Sequence, residues 1–171
     1  MDAILDWKHD TRAIPGAGLS TTREATAVER AAVAAAMDLV GCARLVARYE
    51  ITPAAADRFV LTGAVDVAVT QTCVVTLEEI ERRYSAPLDV EFWPAEILAD
   101  EADGDIDPLG ADREPIEDGR IDVGRIVYEE LASAIDPFPR RDGAAVDWED
   151  KEGAARTHPF AQLARLKRNE D

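Results

Sequence analysis

Histidine is nearly missing from this chain of 171 residues: His9 and His158 are the only two. Both fall in segments expected to be peripheral, so a histidine-based triad or metal centre would need a chain end to fold back. Cysteine is as scarce. Cys42 and Cys73 stand far apart, with no second Cys or His at ligand spacing beside either. That pattern fits reduced thiols in a cytosol, both read as buried and inert, and neither a metal nor a cofactor is expected. Aromatic residues make up only 6%, which points to a core of small side chains. No apolar run approaches the roughly 18 residues of a membrane span, and the stretch from Met1 to Lys8 lacks the basic-then-apolar order of a secretion signal. The expected location is therefore cytoplasmic, with no membrane partner. Glycines do not form a phosphate loop either, since Gly16-Ala17-Gly18 lacks the following Gly, Lys and Ser or Thr, and reads as a plain turn. Basic charge is in deficit as well: 19 Lys plus Arg stand against 35 Asp plus Glu, a formal charge of −16. Such a chain repels phosphate backbones at long range and favours basic partners, so DNA binding is not expected. Acidity that serves solubility alone is the other reading, and charge by itself does not choose between them.

What is present is patterned. From Thr21 a capping box, Thr21 with Glu24, predicts a helix whose apolar face is Ala25, Val28, Ala32, Ala35, Ala36 and Leu39, stopped at Gly41. From Ala43 the period falls to 2, with Ala43, Leu45, Ala47, Tyr49 and Ile51 alternating with Arg44, Val46, Arg48 and Glu50, the mark of a half-buried strand that Thr52-Pro53 ends. A second strand carries Phe59, Leu61, Val65, Val67 and Val69 on one face and Thr62, Asp66 and Thr70 on the other, with a bulge expected at Gly63. A turn around Thr76 to Glu79 leads to a third strand ending in Leu88, Val90 and Phe92. Three strands with short connections imply an antiparallel sheet.

Residues 94–120 hold ten carboxylates against Arg113 and Arg120, a net −8 that is half the charge of the chain. With four Gly and Pro between Gly104 and Pro115 and no apolar period, the segment reads as a solvated, mobile loop and the obvious place for a basic partner to dock. Asp122 then caps a second helix with the apolar face Val123, Ile126, Val127, Leu131, Ala134 and Ile135, ended by Asp136-Pro137-Phe138-Pro139. The remainder has seven basic and seven acidic residues from Arg140 on, and only a short marginal helix at Pro159 to Leu166. The expected fold class is α+β, a small antiparallel sheet packed by two main helices, with a long acidic loop and a flexible C-terminal tail. Residues 1–138 form one domain including the loop, and residues 139–171 the tail.

Carboxylates are plentiful, but those of Glu78-Glu79-Ile80-Glu81 and of the acidic loop are expected to be solvated, whereas a general acid or base needs burial or a charged neighbour. A non-enzyme is therefore expected. The basic pairs read as solvated faces, with one candidate RNA stripe: Arg44 and Arg48 share a strand face, which Arg82 would extend if it lies alongside. No aromatics are interleaved for base stacking.

The segment Gln71-Thr72-Cys73-Val74-Val75-Thr76-Leu77-Glu78, preceded by Leu61-Thr62-Gly63 and followed by Asp89-Val90-Glu91-Phe92-Trp93-Pro94, resembles the YceD family of large ribosomal RNA subunit accumulation proteins. Further matches are the acidic linker, Ile121-Asp122-Val123-Gly124, Asp136-Pro137-Phe138-Pro139-Arg140, and His158-Pro159-Phe160 followed by Leu163 and Leu166. The likeness runs from about Ile14 to Lys167 and is similar to the alphaproteobacterial-type branch. It implies a role in ribosome assembly that supports accumulation of large-subunit (23S) RNA, without giving the mechanism; taken with the −8 segment, the expected reading is a non-enzymatic, cytoplasmic factor that binds a basic large-subunit ribosomal protein, precursor large-subunit rRNA, or both. Direct RNA binding through Arg44, Arg48 and Arg82 is the alternative. The motif positions carried over, as structural or partner-contact residues, are Gln71, Cys73, Thr76, Leu77, Glu78, Asp136, Pro137, Pro139 and Arg140. Many relatives carry a second Cys where this chain has Thr76, so the thiol pair that a metal or disulfide would use is missing here. Glu79 stands where the family tends to have Pro.

Overall fold

The computed structural model describes residues 4–101 and 112–145, and the marginal helix expected at Pro159 to Leu166 lies outside them. Its elements belong to the compact unit Met1–Arg141. Strand β1 (Lys8–Asp10) is followed by a single 3-10 turn, β2 (Leu19–Glu24), helix α1 (Ala27–Ala36), and the long strands β3 (Gly41–Pro53), β4 (Phe59–Thr72) and β5 (Glu79–Pro94). Helix α2 (Ala95–Glu101), β6 (Asp112–Ile116), β7 (Arg120–Asp122) and α3 (Val123–Ala134) complete it.

The architecture corrects the expected fold class. Strands take up 47% and helices 23%, so the protein is mostly β rather than a small sheet packed by two main helices. A five-stranded sheet in the order β2-β3-β4-β5-β6 is joined by a two-stranded β1-β7 sheet and three short helices. Nor is the large sheet antiparallel throughout: β6 runs parallel to β5, pairing Val90 with Asp112 and Pro94 with Ile116. A parallel neighbour needs a crossover rather than a hairpin. Residues 94–120, expected as one loop, make that crossover, since α2 opens the segment and β6 lies near its end.

The first helix also begins later than expected. Thr21 lies in β2, where Leu19 and Thr21 pair with Ile51 and Tyr49, and the box sits five residues on. There Thr26 Oγ1 accepts from the Glu29 N–H and Glu29 Oε2 accepts from the Thr26 N–H. Both Thr-x-x-Glu quartets fit the capping rule, but only the first can also alternate as an edge strand. With the start shifted, Val33 and Ala34 are the buried positions of α1, and Val28 is left 80% exposed. Glu29 has a second task, accepting from Trp7 Nε1 at 2.8 Å and so pinning the N-terminal segment beneath α1.

Strands β3, β4 and β5 follow the period-2 reading. Leu45, Ala47, Tyr49 and Ile51 of β3 pair with Val67, Val65, Gly63 and Leu61 of β4, and these with Tyr84, Ala86, Leu88 and Val90 of β5, forming one inner face. That face packs with Trp7, Val33, Ile126, Val127 and Leu131 into the core. Gly63 is not a bulge, because the register runs through it unbroken and shifts only between Cys42 and Arg44. Its role is clearance: a Cβ there would overlap the Arg48 carbonyl oxygen and Tyr49 Cα, so the β3 backbone can approach this closely only over a glycine. On the other side of the core Asp122 caps α3 as expected, accepting from the Arg125 N–H at 3.0 Å. The outer face of the sheet is largely open, with Arg44, Arg48, Glu50, Thr62, Arg83, Ser85, Pro87 and Asp89 exposed.

Candidate functional site

One end of the sheet gathers residues that are far apart in the chain. β4 finishes in a tight turn at residues 73–78, closed by Cys73 N–H to Glu78 O at 2.8 Å and Leu77 N–H to Cys73 O at 2.9 Å. Against it lies the segment that follows α3, residues 136–141. Asp136 begins that segment with a side chain accepting from the Phe138 N–H at 2.8 Å. Pro137 and Pro139 then supply carbonyls but no N–H, so the stretch cannot continue a helix or join the sheet as a full ladder strand. The Pro139 carbonyl accepts from the Val74 N–H at 2.9 Å, and that of Arg140 from Arg82 Nη2. Arg141 closes the seam with an ion pair to Glu78 at 2.6 Å.

Gln71 is the one buried polar side chain among the described residues, 6% exposed. Its Nε2 donates to the Asp136 carbonyl at 2.9 Å and its Oε1 accepts from the Tyr84 hydroxyl at 2.7 Å. Two residues on, Cys73 has no accessible surface, and its Sγ accepts from the N–H groups of Thr76 and Arg141 at 3.4 and 3.3 Å. Burial alone would raise a thiol pKa, but hydrogen bonds from the Thr76 hydroxyl first, then from the Arg141 and Thr76 N–H groups, pull it down to about 6. Thr76 thus serves as a hydrogen-bond partner of the sulfur. A thiol shut off from solvent can fasten two segments, but it offers no surface for a substrate to reach.

The nine motif positions expected from the sequence therefore lie on two abutting segments. The family model described as "Large ribosomal RNA subunit accumulation protein YceD" matches residues 61–167, more than half of the chain. The chain belongs to the YceD family. No curated protein and no solved structure matches it. Within this YceD chain the motif residues divide by direction. Gln71, Cys73 and Pro139 are buried, whereas Thr76, Leu77, Glu78, Asp136, Pro137 and Arg140 are exposed.

The expected arginine stripe is not assembled as drawn. Arg44 and Arg48 do share the outer face, but Arg82 pairs with Val69 on the inner face, at the edge of the core and under Arg140. The side chain that comes alongside is Arg83, which shares the row Arg44-Ala68-Arg83. The alternation already allowed this, since odd positions of β5 fall on the outer face, but the register needed to see it comes only from pairing. Arg48 is held by Asp66 at 2.8 Å and Arg44 lies 3.7 Å from Glu24. The same face carries Glu50, Glu81, Asp89 and Glu91, so its carboxylates outnumber its strand arginines.

The acidic segment is anchored at both described ends. Trp93, 5% exposed, has the guanidinium groups of Arg58 and Arg113 over its ring, at 4.4 and 4.6 Å from the ring centre. Arg125 of α3 reaches Glu114 of β6 at 2.6 Å. Sequence reasoning missed this cation–π cluster, whose only linear trace was a Trp flanked by distant arginines. His9 is not part of either region: its ring lies edge-on to Tyr49 with Nε2 2.8 Å from the hydroxyl, and burial, then Arg23, lowers its pKa. Among the described residues no His, Cys, Asp or Glu side chains converge as a metal site, and no helix is long and apolar enough to cross a membrane.

Proposed function

We propose that this YceD chain is a non-enzymatic assembly factor of the large ribosomal subunit, which holds a basic large-subunit ribosomal protein on its acidic segment and thereby supports accumulation of the subunit's 23S RNA. The observation that carries this reading is the concentration of charge: residues 94–120 hold −8 of the −16 in a family described by accumulation of that RNA. A dense anionic segment raises the encounter rate of a cationic partner and masks its charge until RNA competes for it. The anchoring of β6 through Trp93 and Arg125 fits a segment presented from a fixed base.

Direct RNA contact through Arg44, Arg48 and Arg82 has less support. Arg82 lies on the other face, and Arg44 and Arg48 are each set beside a carboxylate, so the outer face offers a phosphate backbone little net attraction. The test is a tagged pull-down with and without nuclease, using the parent chain and a chain trimmed at residues 102–111. A large-subunit ribosomal protein kept by the parent after nuclease, and lost on trimming, supports the proposal. Recovery of precursor ribosomal RNA only without nuclease, unchanged by trimming, overturns it in favour of RNA contact.

A further inference from the structure

We infer that the groove at the motif end of the sheet docks an extended segment of a basic protein, one in which apolar side chains alternate with Lys or Arg. The inference rests on the proposal that the partner is a basic protein, and adds a second contact, apart from the acidic segment, with the chemistry by which it grips. The groove is open, about 680 Å³, and runs between the residues that follow α1, the end of β4, and α3 with the segment after it. Met37, Leu39, Val40, Val74, Tyr128 and Ile135 give it an apolar lining.

Three observations specify the occupant. The first is exposed apolar surface: of the large hydrophobic side chains exposed among the described residues, Val40, Val74, Leu77 and Phe138 line this groove or sit on the two segments that border it, and only Val28 lies elsewhere. Apolar side chains gathered at one place on a charged surface mark a contact with another molecule. The second is Leu77 itself, 77% exposed and in the left-handed conformation at φ 59°. A glycine or asparagine would take that backbone at less cost, and no partner within the turn rewards a leucine there. The third is charge. Asp38 and Asp136 are the acidic side chains in the lining, which contains no Lys or Arg among the described residues. The C-terminal ends of α1 and α3 both open onto it, adding the negative ends of two helix dipoles. Arg141, on the neighbouring seam, is engaged by Glu78. Apolar surface with two carboxylates and two helix C-termini in its lining selects an apolar and cationic peptide, and disfavours both RNA and an acidic chain.

The test measures fluorescence anisotropy of a short labelled peptide of alternating Leu and Lys, with Leu/Glu and Ser/Lys peptides as controls. The parent is expected to bind Leu/Lys at least about tenfold more tightly than either control. Leu77→Asn with Phe138→Ser should weaken binding about tenfold and Asp38→Asn several-fold, while Glu50→Gln on the outer face changes nothing. Leu77→Asn removes a backbone penalty and Asp38 already has φ 53°, which Asn accepts, so both variants should fold, as urea unfolding would report. Equal binding of Ser/Lys, or Leu/Lys binding indifferent to the groove variants, overturns the inference, as does a dimer in sedimentation that Leu77→Asn with Phe138→Ser dissolves. A parent that keeps its ribosomal protein after nuclease while the groove variants keep it equally sinks this inference alone. A parent that keeps none sinks the proposed function.

Discussion

Replacing Gln71 by Leu asks whether one amide holds the motif end of the sheet together. The parent side chain is 6% exposed, accepts from Tyr84 at 2.7 Å and donates to the Asp136 carbonyl at 2.9 Å. Leucine fills much the same space, so the change removes two hydrogen bonds and leaves no large cavity. Each bond contributes about 1 kcal/mol net, and a buried partner left unpaired costs about 1–3 kcal/mol. Tyr84 is only half-buried and Asp136 is an exposed residue, so water can satisfy part of what is lost. The expected cost is thus near the low end, about 2 kcal/mol in all. Tyr84→Phe alone should cost about 1 kcal/mol, but added to Gln71→Leu it should cost almost nothing, because the hydroxyl has already lost its acceptor. The double-mutant cycle then closes with a coupling of about 1 kcal/mol. Urea unfolding followed by Trp fluorescence and extrapolated linearly to water measures all three variants. Strictly additive costs, or a Gln71→Leu loss under about 0.5 kcal/mol, would refute the claim that this amide is the joint between β4, β5 and the segment after α3.

Gly63→Ala is expected to cost about 3 kcal/mol or more, since its Cβ would overlap backbone atoms of Arg48 and Tyr49 rather than a side chain that can swing away; a midpoint in urea close to the parent's would contradict it. For Cys73 the folded pKa of about 6 lies below the ordinary 9.0, so the unfolded chain binds more protons between those values. Its contribution is therefore complete above about pH 9 and lost as pH falls through about 6; urea midpoints should rise more from pH 6 to pH 9 in the parent than in Cys73→Ser, and equal slopes would show that the sulfur is not held as a thiolate. Arg113→Ala strips one guanidinium from Trp93, and its emission should shift to longer wavelength as water reaches the ring; an unshifted spectrum would mean that Arg58 alone shields it.

The long strands were legible because their alternation is nearly unbroken from Leu45 to Ile51 and from Leu61 to Val69, and a half-buried sheet imposes that pattern directly. Helix α3 was legible for the same reason, its cap and apolar face both being local. What failed was decided by tertiary competition. Thr21 and Thr26 each head a Thr-x-x-Glu quartet, and β2 forms at the first because β3 offers it a ladder from Leu19 to Glu24. The β6 segment Asp-Arg-Glu-Pro-Ile has too few apolar residues to announce a strand, and becomes one because β5 has an open edge and Trp93 and Arg125 hold its side chains. A proline within it is tolerated at such an edge.

The motif end of the sheet shows the same limit in a form that bears on function. Spacing along the chain could place Gln71 and Asp136 in a common pattern, but could not show that they meet through one hydrogen bond, or that Leu77 and Phe138 are turned away from that joint. The inward residues, Gln71, Cys73 and Pro139, make the seam rigid, and a rigid seam is what lets Leu77 stay in a left-handed conformation on an exposed turn. Gln71→Leu and Leu77→Asn should then separate cleanly. The first lowers stability and, by loosening the turn, also weakens docking of the cationic peptide, whereas the second weakens docking while leaving stability equal or higher. If both variants lost docking only in proportion to lost stability, the outward residues would be passengers of the seam rather than its purpose.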